Sequence, residues 1–142
     1  MRCTCAFFLY LFFSLLGKRC KLFKSWSFER IMLIVKVPGL NAPSRPKGCE
    51  EGCFKVLECL KQEIYSNEKG KVIEYQKLDL EHIHVDNENI AEAQELIYKN
   101  SRKSFEQQDR VFFLGGDHSI SYHCLKGFFE VYPDARLIVF DA

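Results

Sequence analysis

The stretch Val111–Ala142, VFFLGGDHSISYHCLKGFFEVYPDARLIVFDA, decides the fold of this chain. It opens with a short apolar run, Val111 to Leu114, which breaks at Gly115-Gly116. A second apolar run, Leu137 to Phe140, closes the stretch and ends on Asp141. A helix-length segment separates the two runs. This pattern predicts a strand–helix–strand unit whose two strands are parallel.

Two metal-binding side chains follow these predicted strands. His118 comes after the first strand, and Asp141 ends the second. Parallel strands place their C-terminal ends on one edge of a sheet, which is where open α/β folds bind ligands. If the two strands are adjacent, their backbones lie about 4.8 Å apart, close enough for an imidazole and a carboxylate to bind one ion. Gly115-Gly116 allows a sharp turn and a close approach of backbone to a ligand.

The motif GGDHS, Gly115 to Ser119, resembles the signature of the ureohydrolases, the family of arginase, agmatinase and formimidoylglutamase. Their second block, D-A-H-x-D, is matched in its first two letters by Asp141-Ala142. The resemblance implies that His118 is a terminal ligand of one manganese ion and that Asp141 bridges two manganese ions. Within the motif, Gly115, Gly116, Asp117 and Ser119 would form the loop around the ligand. Asp117 would orient that loop or serve as a simple turn residue.

A second match lies upstream, where the family carries a loop of the kind G-x-x-x-G-P before a helix. The chain has Gly48-Cys49-Glu50-Glu51-Gly52, with Cys53 where proline is usual. With this block the resemblance covers roughly Met32 to Ala142. It implies the N-terminal part of a three-layer α/β/α fold with a mainly parallel sheet.

The resemblance also implies the chemistry. Ureohydrolases hydrolyse a guanidino or formimino C–N bond with two manganese ions that activate water. The family's remaining ligands, the histidine and second aspartate of D-A-H-x-D and a later D-x-D pair, have no counterpart in these 142 residues. We therefore expect a domain truncated inside the second motif, with weak metal binding and little activity of its own. No catalytic residue is identifiable in it.

Three features of the function remain open in the sequence. The substrate is expected to be a small guanidino or formimino compound, with arginine, agmatine and formimidoylglutamate not distinguished. The alternative to an enzyme is a non-catalytic half-domain that needs a complementary fragment or partner. Family members commonly form trimers or hexamers, so the full-length protein is expected to be a homo-oligomer.

Residues 1–31 differ in character from the rest of the chain. Ala6 to Leu16 is an uninterrupted apolar run of eleven residues, short of the roughly twenty that a membrane-spanning helix needs. Basic residues on both sides give it the character of a secretory core or a weak anchor. Starting instead at Met32, the chain reads MLIVKVPGLNAP, a first strand with alternating apolar residues.

We therefore interpret residues 1–31 as an apolar leader or a mispredicted extension, and residues 32–142 as the ureohydrolase portion. A cytoplasmic location without membrane association is expected. Anchoring or export through residues 6–16 is the alternative.

Four further elements are predicted between and around these motifs. Helices are expected over Gly52–Ser66, over Asn87–Gln107 with Asn87 as a cap, and from Ser119 onwards. A strand is expected within Lys71–Leu80, where Val72 and Ile73 support it best. Alternating strands and helices are typical of a parallel α/β sheet.

The remaining charged, histidine and cysteine residues can be interpreted as ordinary structural residues or as parts of a binding site. A net charge of +1 and the lack of a basic stripe predict no nucleic-acid partner. His82 and His84 are expected at a solvated strand end or loop, and His123 is expected to project away from His118. Cys49 and Cys53 are interpreted as cytosolic thiols, in preference to a zinc set completed by the two histidines His82 and His84.

Overall fold

The computed structural model describes residues 32–39, 48–62, 66 and 68–139. Three strands and three α-helices alternate along this part of the chain. In order they are β1 (Leu33–Val37), α1 (Gly52–Gln62), β2 (Asp79–His82), α2 (Ile90–Gln107), β3 (Val111–Gly115) and α3 (Ile120–Val131). Single 3-10 turns, Cys49–Glu51 and Tyr75–Lys77, precede α1 and β2.

The strands form one parallel sheet in the order β2-β1-β3. Lys36 of β1 pairs with His82 of β2 on one side and with Leu114 of β3 on the other. The predicted α/β class with a mainly parallel sheet is therefore confirmed.

The alternation of apolar residues along β1 divides the molecule into layers. Leu33, Val35 and Val37 are buried on one face, as expected for residues two apart on a strand. They belong to one cluster with side chains of α2 and α3, namely Ile97, Phe105, Ile120, Cys124 and Phe128. Ile34 is buried on the opposite face, where the Lys36 ammonium lies 5.5 Å from the ring centroid of Phe54 in α1. Helices thus cover both faces of the sheet.

The helices α2 and α3 pack against each other through Gly127. A Cβ at this position would lie 2.8 Å from the Arg102 backbone nitrogen and 3.0 Å from the Tyr98 carbonyl oxygen. Across the same contact the Tyr98 hydroxyl donates to the Glu130 carboxylate at 2.7 Å. The two helices can approach this closely because residue 127 has no side chain.

The second strand does not lie where β-propensity placed it. Val72 forms only an isolated antiparallel bridge with Ser66, and Ile73 is exposed. The strand that pairs with β1 is Asp79–His82, at the end of the predicted range. β-propensity measures how well a side chain fits a half-buried pleated surface. In this sheet β1 provides that surface, and the segment that lies beside β1 is residues 79–82.

The predicted strand at Leu137–Phe140 is wrong over the residues that the structure describes. Leu137, Ile138 and Val139 are in no strand, and they are 38, 70 and 52% exposed. The described neighbour of β3 is β1. An apolar run becomes a strand only when another strand offers its hydrogen-bonding groups, and residues 137–139 have no such partner among the described residues.

The helices follow the sequence pattern more closely. α3 begins at Ile120, directly after Ser119, and α1 begins at Gly52 as predicted; residues 63–65 of its predicted range are outside the described part. α2 begins at Ile90, with Asn89 as its N-cap through a hydrogen bond that its side chain accepts from the Glu92 N–H.

The predicted cap, Asn87, has a different role. Its side-chain amide donates to the Pro38 carbonyl oxygen at 3.0 Å and ties the entry of α2 to the end of β1. No helix within the described residues is both long enough and apolar enough to cross a membrane.

Candidate metal centre

The C-terminal ends of β1 and β3 meet at a point where the chain leaves the sheet in two directions. After β1 the chain leads to α1 on one face of the sheet, and after β3 it leads to α3 on the other face. The strand order β2-β1-β3 reverses its direction at β1. Such a topological switch point opens a crevice outside the strand ends, where α/β folds bind ligands.

The loop after β3 is fixed to the end of β1 by two backbone hydrogen bonds. The Gly116 N–H donates to the Val37 carbonyl oxygen at 3.0 Å, and the Asp117 N–H donates to that of Gly39 at 3.2 Å. A Cβ on Gly116 would lie 2.6 Å from the Gly39 oxygen and 3.3 Å from the Glu50 Cα. The two sequence motifs, GGDHS and the loop around Glu50, are therefore packed backbone to backbone.

Gly115 and Gly39 pack against a different residue, Ile120 at the start of α3. A Cβ on Gly115 would collide with the Ile120 side chain, and one on Gly39 would lie 2.9 Å from its Cγ2. Ile120 is buried in the main core. The two glycines make room for this anchor, which fixes the first turn of α3 beside the loop.

Asp117 holds the turn that precedes the helix. Its Oδ1 accepts hydrogen bonds from the Ser119 backbone N–H, at 2.9 Å, and from the Ser119 hydroxyl. Because both donors belong to Ser119, the carboxylate links residues 117 and 119 and restrains the turn through residue 118. Asp117 and Ser119 thus form the turn that precedes α3.

His118 itself is exposed at the rim of this loop. Its Nδ1 lies 3.2 Å from the Ser121 hydroxyl oxygen, and its carbonyl oxygen accepts a hydrogen bond from the Ser121 N–H at 3.1 Å. The ring borders an open depression lined by Gln94, His118, Ser119, Ser121, Tyr122, His123, Leu125 and Val139.

His123 borders the same depression, although the helical spacing predicted that it would project away from His118. The depression runs along the first two turns of α3, so residues on more than one side of the helix reach it. Burial, followed by the charge of Lys126, lowers the pKa of His123.

The second predicted ligand, Asp141, and its neighbour Ala142 lie outside the described residues. Within the described part of the chain, no group of three or more His, Cys, Asp or Glu side chains is placed to hold a metal ion. The zinc set of Cys49, Cys53, His82 and His84 is therefore not assembled. Cys53 is buried, and its thiol donates to the Glu50 carbonyl oxygen at 3.4 Å.

The histidine pair at the end of β2 is packed more tightly than the sequence indicated. The ring centroids of His82 and His84 are 3.9 Å apart, and the Phe54 ring meets His82 edge-on at 5.2 Å. The Nε2 of His82 is buried without a hydrogen-bond partner among the described residues. Burial, then the charges of His84 and Lys36, lowers the pKa of His82. The solvated position predicted for both histidines holds for the exposed His84 alone.

Ser121 was not singled out in the sequence. The available signal was its position in the first turn of the predicted helix, directly after the GGDHS motif.

A protein-family model described as the Arginase family matches residues 31–142. Neither the curated proteins nor the solved structures contain a significant match.

Proposed function

Since the chain belongs to the Arginase family, whose members are ureohydrolase-type hydrolases, we propose that His118 serves as a terminal ligand in a manganese centre. The centre would hydrolyse a guanidino or formimino C–N bond of a small molecule. The observation that carries the proposal is the position of His118: an exposed imidazole on the loop after β3, at the switch point of a parallel sheet.

The donor chemistry of this region fits one ligand of such a centre. Imidazole combined with carboxylates suits manganese better than a set of thiolates does. The described residues supply the imidazole of His118 and no complete group around it. We propose Asp141 as the bridging carboxylate, with the further ligands coming from residues beyond those described.

A bound pair of divalent ions would supply activated water for attack on the guanidinium or formimino carbon. The residues around His118 would hold this proposed metal-binding side chain in place. The backbone bonds of Gly116 and Asp117 fix the loop to β1, and the Asp117 carboxylate fixes the turn through Ser119. With so few donors, the 142-residue chain is expected to bind manganese weakly and to release little product from arginine, agmatine or formimidoylglutamate.

The test is a Mn²⁺ titration of the full chain, followed by the electron paramagnetic resonance signal of the free ion. His118→Ala should weaken binding at least about tenfold, because one of few ligands is lost. His84→Ala is the matched control, since it removes an exposed histidine outside the loop, and it should leave the titration unchanged. Equal binding by wild type and His118→Ala would refute the proposal, and tight binding of two ions would refute the expected weakness.

A second candidate is a half-domain that functions with a complementary α/β segment. It is favoured by the exposed apolar residues Leu137, Ile138 and Val139, which form no strand among the described residues. A complementary ureohydrolase segment supplied in trans should form a stable 1:1 complex and protect these residues from hydrogen exchange. Sedimentation showing only separate species would exclude this candidate.

A further inference from the structure

A cluster of three basic side chains lies on the face of the sheet that α1 covers. Ile83 is buried in the core on the opposite face, and its N–H donates to the Lys36 carbonyl oxygen at 2.9 Å, which continues the ladder beyond β2. Because successive side chains of a strand point to opposite faces, His82 and His84 both project towards α1. Lys36 is paired in register with His82 and lies on the same face, next to Phe54 of α1.

None of the three basic side chains has an anionic partner within the described part of the chain. The Nε2 of His82 is buried without a hydrogen bond there, and the ring of His84 lies against that of His82, with the centroids 3.9 Å apart. The Lys36 ammonium makes no ion pair among these residues and lies 5.5 Å from the Phe54 ring centroid. Buried polar groups of folded proteins are normally hydrogen-bonded, so the His82 nitrogen requires an explanation.

The charges within the cluster oppose one another. Burial, followed by the charges of His84 and Lys36, lowers the pKa of His82. Like charges at paired positions of neighbouring strands are destabilising, and Lys36 and His82 occupy such positions. An anion bound among the three side chains would replace this repulsion by attraction and would give their nitrogens a hydrogen-bond acceptor.

The cluster can be reached from solvent. His84 is exposed, Lys36 and His82 are half-buried, and Phe54 is 40% exposed. The rings that pack on His82 are those of Phe54 and His84. Because His84 lies on the loop after β2, a rotation of its side chain is the movement that would expose the buried nitrogen of His82.

We propose that Lys36, His82 and His84 form a binding site for a small oxyanion, a phosphate or a carboxylate group. Lys36 would supply a fixed positive charge, and the two imidazoles would donate hydrogen bonds to the anion. A divalent cation fits the cluster less well, because the Lys36 ammonium would repel it. The proposal does not rest on the metal role of His118, which lies on the loop after β3.

The experiment is a titration of the full chain with sodium phosphate at about pH 6.5, where an ordinary imidazole is half protonated. It is followed by the histidine ring signals in nuclear magnetic resonance, with sodium chloride at matched ionic strength as the reference. Phosphate should bind saturably and raise the pKa of His82 and His84, since a bound anion favours the protonated imidazole. Lys36→Gln should weaken phosphate binding at least about tenfold, because a charge-assisted hydrogen bond is lost. Lys103→Gln, which removes an exposed lysine of α2, should bind as wild type does.

Lys36→Arg, which keeps the charge, should retain phosphate binding. If far-UV circular dichroism shows that Lys36→Gln does not fold, His84→Gln at an exposed position takes its place and should weaken binding about threefold or more. A second titration with sodium acetate identifies the group: saturation by both anions indicates a site for carboxylates as well, and saturation by phosphate alone indicates a phosphate site. Ring signals that respond equally to phosphate and chloride, or phosphate binding that is unchanged in the folded Lys36→Gln or His84→Gln variant, would overturn the proposal.

Discussion

Replacing Gly116 by alanine tests whether the loop after β3 and the loop before α1 form one rigid unit. The added Cβ would lie 2.6 Å from the Gly39 carbonyl oxygen and 3.3 Å from the Glu50 Cα. Both neighbours are backbone atoms, so neither can move aside by changing a rotamer. The loop must shift as a whole, which stretches the bonds from the Gly116 and Asp117 N–H groups to β1.

The cost follows from these two effects. Overpacking a rigid site typically costs about 1–3 kcal/mol, and each weakened backbone hydrogen bond adds about 0.5–1.5 kcal/mol. We expect Gly116→Ala to lower the free energy of unfolding by about 2–6 kcal/mol. For a chain of this size each kcal/mol corresponds to about 3–6 °C in Tm.

Urea and thermal unfolding of the full chain, followed by far-UV circular dichroism, measure this loss. Gly70→Asn is the matched control: Gly70 has a φ of 73°, and a Cβ there would meet nothing within 4 Å. Asparagine tolerates that conformation, so the control should lose less than about 1 kcal/mol. If Gly116→Ala unfolds within about 0.5 kcal/mol of wild type, the loop is not held as described.

Two further predictions concern buried groups away from the loop. The lowered pKa of His82 means that the folded protein binds a proton less readily than the unfolded chain. The contribution of His82 to the free energy of unfolding should therefore be complete above about pH 6.5. It should be lost as the pH drops through the folded-state pKa. Urea unfolding between about pH 7 and 5 should show this fall, and His82→Leu should reduce it; an unchanged slope in the variant would contradict the assignment. Burial raises the pKa of the Cys124 thiol to about 12, so iodoacetamide should modify the exposed Cys59 and leave Cys124 intact in the folded chain. Peptide mass mapping before and after denaturation checks this, and labelled Cys124 in the folded protein would refute it.

The sequence predicted the elements whose signals are local. The run VFFL stops at a double glycine, and β3 ends there, at Gly115. The alternation of Leu33, Val35 and Val37 predicted both the strand β1 and the side of it that is buried. These patterns succeed because the periodicity of the apolar residues and the boundary signals agree.

The errors arise where a strand depends on its partner. Val72 and Ile73 have high β-propensity, yet the strand lies at Asp79–His82, beside β1. Leu137–Val139 also has the composition of a strand and pairs with nothing among the described residues. Strand order is a property of the whole sheet, so the sequence of a single segment does not indicate which strand it will pair with.

The same limit applies to the site. The sequence placed His118 on a loop after a strand, but it took the next apolar run as the neighbouring strand. In the structure the described neighbour of β3 is β1, so the backbone that contacts Gly116 comes from the end of β1, at Gly39, and from Glu50 before α1. The loop motif Gly48–Gly52 therefore has a physical role, because its Glu50 forms part of the surface against which Gly116 packs.

In this arrangement some residues of the loop, such as Gly116, are needed for its packing, and others, such as His118, are exposed on it. Gly116 is constrained by backbone atoms on two sides, so its substitution should reduce stability and metal binding together. His118 is exposed and contacts the helix through Ser121, so its substitution should change metal binding and leave stability within about 0.5 kcal/mol. A loss of metal binding in a variant of this loop therefore reports on a ligand only when the free energy of unfolding is unchanged. His118→Ala is expected to meet that condition, and Gly116→Ala is expected to fail it.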